Sequence, residues 1–578
     1  MKQMKKVMAL VIAMAMMLSL MSMAVMAETA GDLTPDETIT IQGLDSGDTV
    51  HLYQILQWDE NVGWVLVHED GDDSPLAALT TTGNANFSQG VKDLVDNVPN
   101  TELTKADLEA IANVVKDAGV DLTDETISSD TFTYSTTGAP GMYIALVTPG
   151  EAGVIYNPIV VSSDFTGDNT TSEIDASSAA AVMGNDSSVA KKEKITVTKT
   201  AEEQNDATEN DNAHDVGDIV KFTITTQIPA YSDSYVDPSF KISDTLSNGL
   251  ELVVDGNHEF KVECDDVTVD TAHEDYVAAA DGGISFVLPF KSSEIAALVD
   301  YADVTITYYA KITGDAATNV TEEENTVTVE FSNNPNEDGD VGTLKDKTKH
   351  YTFTIDGSLL GETAYKNSEL VKVGVDEDGN PIESVITESN GSSQAALEGA
   401  IFKLYKSAQG AEDEDEDDLY TNDVFNGEVT SDAQGLLTIE GLDVGDYYLK
   451  EITAPKGYIR SNKVWHINVA ATITDTPTTE IIDGREVTYS VPILEDYTIT
   501  IDDGTTTTGE STFSATITGS EVLSSTTKGD VSTSIPNTKG VELPSTGGIG
   551  TTIFYIVGVI LVLGSGIVMV TRRRMDAN

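Results

Sequence analysis

The chain has 578 residues, and its 97 acidic against 32 basic residues give a formal net charge of −65. That length suits three or four folded units, and a surface of that sign repels phosphate and excludes a nucleic-acid-binding role. A lone cysteine, Cys264, excludes internal disulfides, and the seven histidines lack the spacing of zinc ligands, so no metal site and no cofactor is expected.

In chain order, the first segment is a secretory signal. Basic "MKQMKK" leads into apolar "VMALVIAMAMMLSLMSMAVMA", and Val25 and Ala27 occupy the small-residue positions of a cleavage site. Cleavage between Ala27 and Glu28 removes residues 1–27. A first unit, 28–190, begins with "ETITIQGLDSGDTVHLYQILQW", two alternating runs joined by a Gly/Asp turn. "TKADLEAIANVVKDAG" has apolar residues at helical spacing behind a Thr104 cap, and the strand-like runs "GMYIALVTP" and "GVIYNPIVVSSDF" follow.

A second unit, 191–345, holds the short alternating runs "ITVTKT", "DIVKFTITTQIP", "FKISDTL", "GISFVLPF", "DVTITYYAKI" and "NTVTVEFSN". Such runs separated by polar turns predict an antiparallel sandwich. In "ITVTKT", Ile195, Val197 and Lys199 share a face, so an amine points to the apolar side. In "FKISDTL", Asp244 shares the face of Phe240, Ile242 and Leu246. In "VTVEFSNN", Asn333 shares the face of Val327, Val329 and Phe331. Burying each group alone is costly. Burial lowers a lysine pKa and raises that of a carboxylic acid. A neutral Lys199 amine is then a nucleophile, and a protonated Asp244 can polarise the Asn333 amide. The expected product is an isopeptide bond between first and last strands, with ammonia released.

A third unit, 346–540, contains "ELVKVGVDEDGNPI", "GAIFKLYKS", "GLLTIEGLDVGDYYLKEITAPKGYI" and "VWHINV". Its acidic run Glu412 to Asp418 reads as a solvated loop, and "DEDGN" as a hairpin turn. The last segment, 541–578, carries "LPSTGG", then the apolar stretch Thr551 to Val570, then Arg572, Arg573 and Arg574. The stretch is long enough to span a bilayer, and the arginines belong on the cytoplasmic side.

This C-terminal order resembles the LPXTG sorting signal of Gram-positive surface proteins, carried by Leu543, Pro544, Ser545, Thr546 and Gly547. The resemblance implies that a sortase cleaves between Thr546 and Gly547 and passes Thr546 to an amine, membrane anchoring being transient. The middle unit resembles the collagen-adhesin A-type domain of Gram-positive pilins, with Lys199, Asp244 and Asn333 as the cross-linking set. The third unit resembles the B-type domain: "YYLKEITAPKGY" is similar to the E-box of pilins, which makes Glu451 the buried acid, and Asn537 in "IPNTKGVELPSTGG" is the cross-linking amide. Lys372 is the expected partner, with Lys366 the alternative, because Lys372 shares a face with Leu370 but lies opposite Val371 and Val373.

The implied architecture is mainly β, a tandem of immunoglobulin-like sandwiches closed by isopeptide bonds. The implied role is that of a pilus shaft subunit on the cell wall: a sortase substrate and not an enzyme. Its partners would be the sortase, identical subunits joined head to tail, accessory pilins and peptidoglycan. The Tyr-Pro-Lys motif common in the family is missing, and "IYNP" carries no lysine. The exposed amine offered to the next subunit is therefore expected in "SSVAKKEKITV", at Lys191 or Lys192, with Lys194 next. The competing reading is a monomeric wall-anchored adhesin for a host protein or glycan. It calls for a large aromatic-rich insertion, which a chain with 6% aromatic residues does not display.

Overall fold

The structure, a computed structural model, describes the chain between residues 34 and 575 with interruptions, the longer being 68–74, 167–186, 204–211, 271–283, 336–340, 356–369, 379–385, 388–392, 503–510 and 541–548. The signal segment with Ala27 and Glu28, the alternative Lys366, and Leu543 to Gly547 lie outside the described residues.

In the N-terminal unit the two opening runs are strands, but they enter different sheets. Thr38–Gln42 pairs with Thr131–Ser135, whereas β1 (Thr49–Asp59) pairs with Gly63–Leu66 and with a later strand. The helix α1 (Lys105–Ala118) begins where expected. Thr104 Oγ1 accepts from Asp107 N at 3.3 Å, and Asp107 reaches back to Thr104 N at 2.8 Å, a reciprocal cap. Asp107 also accepts from Ser88 Oγ, the cap of the preceding short helix, so one buried carboxylate ties two helix starts together. The partner of β1 is β2 (Gly141–Thr148), and β3 (Val154–Tyr156) follows it.

The segment after residue 190 is not a free linker. β4 (Lys192–Lys194) pairs antiparallel with β3, so the boundary expected at 190/191 falls within structure that belongs to the first unit's surface.

The middle unit is a two-sheet antiparallel sandwich, as its alternation requires. One sheet orders β5 (Thr198–Glu203), β6 (Ile219–Ile228), a long strand and Leu250–Val253. The other orders Ile284–Pro289, β7 (Phe240–Leu246) and two further strands. The long strand is β8 (Ala302–Ile312), and the two further strands are β9 (Glu323–Ser332) and β10 (Val341–His350). Inward residues Phe222, Ile224, Ile242, Phe286, Ile306, Val327 and Phe331 are fully buried between the sheets. The boundary expected at 345/346 cuts through β10, which pairs with β9 along its whole length.

The C-terminal unit starts its second sheet with β11 (Leu370–Val375) and builds its large sheet on β12 (Ile401–Tyr405) and β13 (Gly445–Thr453). The acidic run is not a plain loop: a short helix, Ala408–Asp413, capped by Ser407, leads to a 3-10 turn at Glu416–Asp418. β14 (Val464–Ile482) and β15 (Arg485–Asp502) form a long hairpin turned at Asp483 and Gly484, whose φ of 51° and 78° match a two-residue turn with both residues left-handed. The hairpin reaches over the middle unit. Val487, Tyr489 and Val491 are buried in the middle unit's core, and Lys345 and Lys347 pair with Glu480. At its tip, Arg485 Nε donates to the Pro149 carbonyl of the first unit at 2.9 Å. The last strand, β16 (Thr533–Thr538), lies parallel to β11. The helix α2 (Ile549–Met575) follows; among the described residues it alone is long and apolar enough to cross a membrane, and it is not buried against the rest.

Candidate functional site

The middle unit places the Lys199 amine in the centre of its core, with no solvent exposure of the side chain. β5 brings it there from the edge of one sheet. β7 brings Asp244 from the other, and β8 supplies Tyr308 between them. Lys199 Nζ donates to Asp244 Oδ2, to Tyr308 Oη at 2.6 Å and to Asn325 Oδ1 at 2.6 Å. Tyr308 Oη donates to Asp244 Oδ2 at 2.8 Å and accepts from Asn325 Nδ2 at 2.9 Å. The rings of Phe222 and Tyr308 flank the amine at 5.5 and 5.3 Å. Burial pulls the Lys199 pKa down against the attraction of Asp244, and burial pushes the Asp244 carboxyl up.

The amide in this cluster is Asn325, not the expected Asn333. Both lie on the inward face of the same strand line, so alternation alone treats them alike. Register separates them: Asp244 stands opposite Val327 and Leu246 opposite Asn325, at one end of β9. Asn333 is eight residues further, about 26 Å along an extended chain. It is fully buried, its amide has no hydrogen-bond partner, and it packs where a Cβ on Gly342 would come within 2.6 Å of its Nδ2. Tyr308, also absent from the sequence reading, is signalled only by an inward tyrosine in "DVTITYYAKI".

The C-terminal unit holds a second cluster of the same kind. Lys372, Glu451 and Asn537 are buried to within 1% of complete. Lys372 Nζ donates to Asn537 Oδ1 and lies 3.2 Å from Glu451 Oε1, which accepts from Asn537 Nδ2 at 2.9 Å. The second Glu451 oxygen accepts from Ser461 N at 2.6 Å, fixing the carboxyl. Burial brings the Lys372 amine down to about 8. The parallel pairing sets Lys372 opposite Ile535 and Gly374 opposite Asn537, so lysine and asparagine come from adjacent strands. The ambiguous parity of "ELVKVG" has a physical cause: Lys372 and Val373 are both buried, so β11 is covered on both faces.

Lys191 and Lys192 differ in their surroundings. Lys192 pairs with Tyr156 in register, its amine is held by Asp45, and it lies 5.9 Å over the Tyr156 ring. Lys194 is held by Glu151. Lys191 is exposed, its carbonyl accepts from Asn157 N at 3.1 Å, and partial burial of its amine lowers its pKa. Glu193, in β4, has its carboxyl pushed up by burial and by Asp300.

Comparisons with known proteins match three stretches of the chain. Residues 35–192 match the T6 antigen Ig-like domain, residues 383–483 the SpaA prealbumin-like fold domain, and residues 535–577 the LPXTG cell wall anchor motif. The trypsin-resistant surface T6 protein of Streptococcus pyogenes serotype M6 is 25% identical over an alignment covering 94% of this chain and 96% of that protein. The solved T6 backbone pilin of the same serotype, described as a modular three-domain structure, superposes with a TM-score of 0.50 at 19% identity, covering 88% of this chain and all of that one. Tandem sandwiches ahead of an LPXTG anchor define a cell-wall-anchored surface protein of the sortase-assembled kind. Within that class, the solved structure that this chain resembles over most of its length is a backbone pilin, a likeness of fold.

Proposed function

We propose that this chain is a pilus backbone subunit and a sortase substrate, and that it builds a shaft in which every covalent link is an amide made from a lysine, two inside each subunit and one between subunits. Inside the middle unit, the Lys199 amine passes a proton to Asp244 and attacks Asn325 Cγ. Asp244 gives that proton to the departing nitrogen, the Cγ–N bond breaks and ammonia leaves, and Asp244 then takes the second proton from Nζ, so the amide is neutral and the acid ends protonated. Lys372, Glu451 and Asn537 repeat the sequence. Holding amine and amide in contact supplies much of the rate by removing the cost of bringing them together. The observation that carries this reading is a wholly buried lysine amine in contact with both a carboxyl and an asparagine amide, found twice.

Between subunits, the sortase would cleave after Thr546 and transfer it to Lys191 of the next subunit. Lys191 is preferred over Lys192 because Asp45 already engages the Lys192 amine. Head-to-tail linkage of this kind does not close, so it gives a filament. The last subunit would pass to peptidoglycan, and accessory pilins would join by the same thioester chemistry. Intact-mass measurement of the folded chain tests the internal bonds: the expected mass is short by two ammonia molecules, and an unmodified mass refutes both. Replacing Thr546 with Ala should abolish the high-mass ladder and the wall-bound fraction together; a ladder that persists rejects the sorting role of Thr546.

A further inference from the structure

Glu203 ends β5, and His214 and Asp218 lie in the turn that leads into β6. One ligand atom from each side chain lies within 4.8 Å of the other two. His214 is fully buried and Glu203 is 8% exposed, and the imidazole Nδ1 meets Glu203 Oε2 at 3.1 Å. The Asp218 carboxylate is aimed by the Asp215 N–H, which donates to Oδ2 at 2.8 Å. We propose that Glu203, His214 and Asp218 bind one divalent transition-metal ion of the zinc type at the junction of the middle and C-terminal units.

The donor set selects the metal class. One imidazole and two carboxylates suit zinc, whereas calcium and magnesium take oxygen ligands. Three protein ligands leave the fourth position of a tetrahedron to water.

A second feature, on the far side of the His214 ring, favours the site. A metal-ligating histidine needs a partner for its other ring nitrogen. His214 Nε2 lies 2.9 Å from His350 Nδ1, and His350 Nε2 lies 3.0 Å from Thr348 Oγ1. The relay ends on a hydroxyl, which can donate or accept. Without metal, Thr348 donates to His350, His350 Nδ1–H donates to His214, and His214 Nδ1–H donates to Glu203. With metal on His214 Nδ1, each arrow reverses: His214 Nε2–H donates to His350, and His350 Nε2–H donates to Thr348. Both rings stay neutral, two ring protons are present before and after, and no ring nitrogen is left unsatisfied. The ion takes the place of the Nδ1 proton with no buried charge created on either ring.

The place of the site gives it a mechanical role. The same turn is bonded to the C-terminal unit: His214 N donates to the Tyr351 carbonyl at 2.9 Å, Val216 N to the Gly441 carbonyl at 3.1 Å, and Asp443 N to Asp215 Oδ1 at 2.7 Å. Asp215 and Asp443 crowd two more carboxylates into the joint. A cation there offsets their repulsion and fixes the turn that joins the two units.

The test uses the full chain in detergent, stripped with EDTA. Calorimetric titration with zinc chloride should show one ion per chain. Cobalt chloride should give the visible absorption of a four-coordinate nitrogen–oxygen site. His214→Gln and Asp218→Asn should each weaken zinc binding at least about tenfold, with both internal cross-links still present by mass. If His214→Gln loses the cross-links through misfolding, Asp218→Asn decides alone. Zinc should also slow proteolytic cleavage between the middle and C-terminal units. No zinc binding by the wild-type chain, or binding unchanged in the decisive variants, overturns the proposal. Calcium binding with zinc excluded overturns the metal class.

Discussion

Replacing Asn325 with Ala separates the structure's geometry from the face pattern of the sequence. Asn325 and Lys199 are 126 residues apart, so a bond between them closes a loop of that size. The chain-entropy relation for a cross-link gives about 5 kcal/mol for such a loop, taken from the unfolded state. For a unit of this size each kcal/mol moves the melting temperature by roughly 2–4 °C, so the loss should be roughly 10–20 °C. The variant should retain one ammonia more than the wild type, and scanning calorimetry should show the middle transition lowered by that amount. Asn333→Ala is the control. It removes a buried amide that makes no hydrogen bond, so the mass deficit should stay at two ammonia molecules. Should Asn333→Ala recover an ammonia while Asn325→Ala does not, the register on which the site rests is wrong.

Three further outcomes are expected. In Asn537→Ala the Lys372 amine stays unbonded at about 8, against about 10.4 in the unfolded chain. Between those values the unfolded state holds the proton that the folded state has lost, so stability should rise with pH by roughly 3 kcal/mol. The wild type, its amine consumed, should lack this rise; parallel urea-unfolding curves from pH 7 to 10.5 would contradict the burial argument. Lys191→Ala should collapse the pilus ladder while Lys192→Ala leaves it, as read on wall extracts; the opposite pattern would move the nucleophile to Lys192. Under force, the wild type should yield no extension from the 126-residue loop, and Asp244→Ala should release about 440 Å at full stretch. Equal extension in both chains would mean that no bond spans the loop.

The sandwiches, the helix at Lys105 and the inward lysines were legible because alternation and capping are local. "ITVTKT" places Lys199 on the apolar side whatever it pairs with. What local pattern cannot carry is position along a partner strand. Asn325 and Asn333 are equivalent to a two-residue period, and only the β7–β9 register brings one of them to Asp244. Lys372 was half legible because a strand buried on both faces has no alternation to read. The long hairpin left almost no mark. Much of β14 is "AATITDTPTTE", whose residues are largely exposed or half-buried, and only Val487, Tyr489 and Val491 on β15 reveal contact with a neighbouring unit. The His214–Glu203 pairing was equally hidden, because the two residues are 11 apart in sequence and share no ligand spacing within one element.

The two clusters divide the chain into parts that would carry tension and parts that would not. With bonds at Lys199–Asn325 and Lys372–Asn537, a pull from Lys191 to the C-terminus runs through 191–199, crosses to Asn325, follows β9 and β10 to Lys372, and crosses again to Asn537. β6, β7 and β8 fall outside that path, and so do β12 to β15. A bond to Asn333 would have shunted nearly all of β9 as well. With Asn325 as partner, β9 stays in the path, held in register between β7 and β10. β10 is also the strand on which the long hairpin rests, through Lys345 and Lys347 to Glu480 and through Thr343 to Asp483. The hairpin thus braces the unbridged stretch, and its tip reaches Pro149 in the first unit from a strand that itself bears no load. With those bonds in place the sandwiches would be shielded from load, and the hairpin's non-covalent bracing falls on a strand that the bonds would leave in the path.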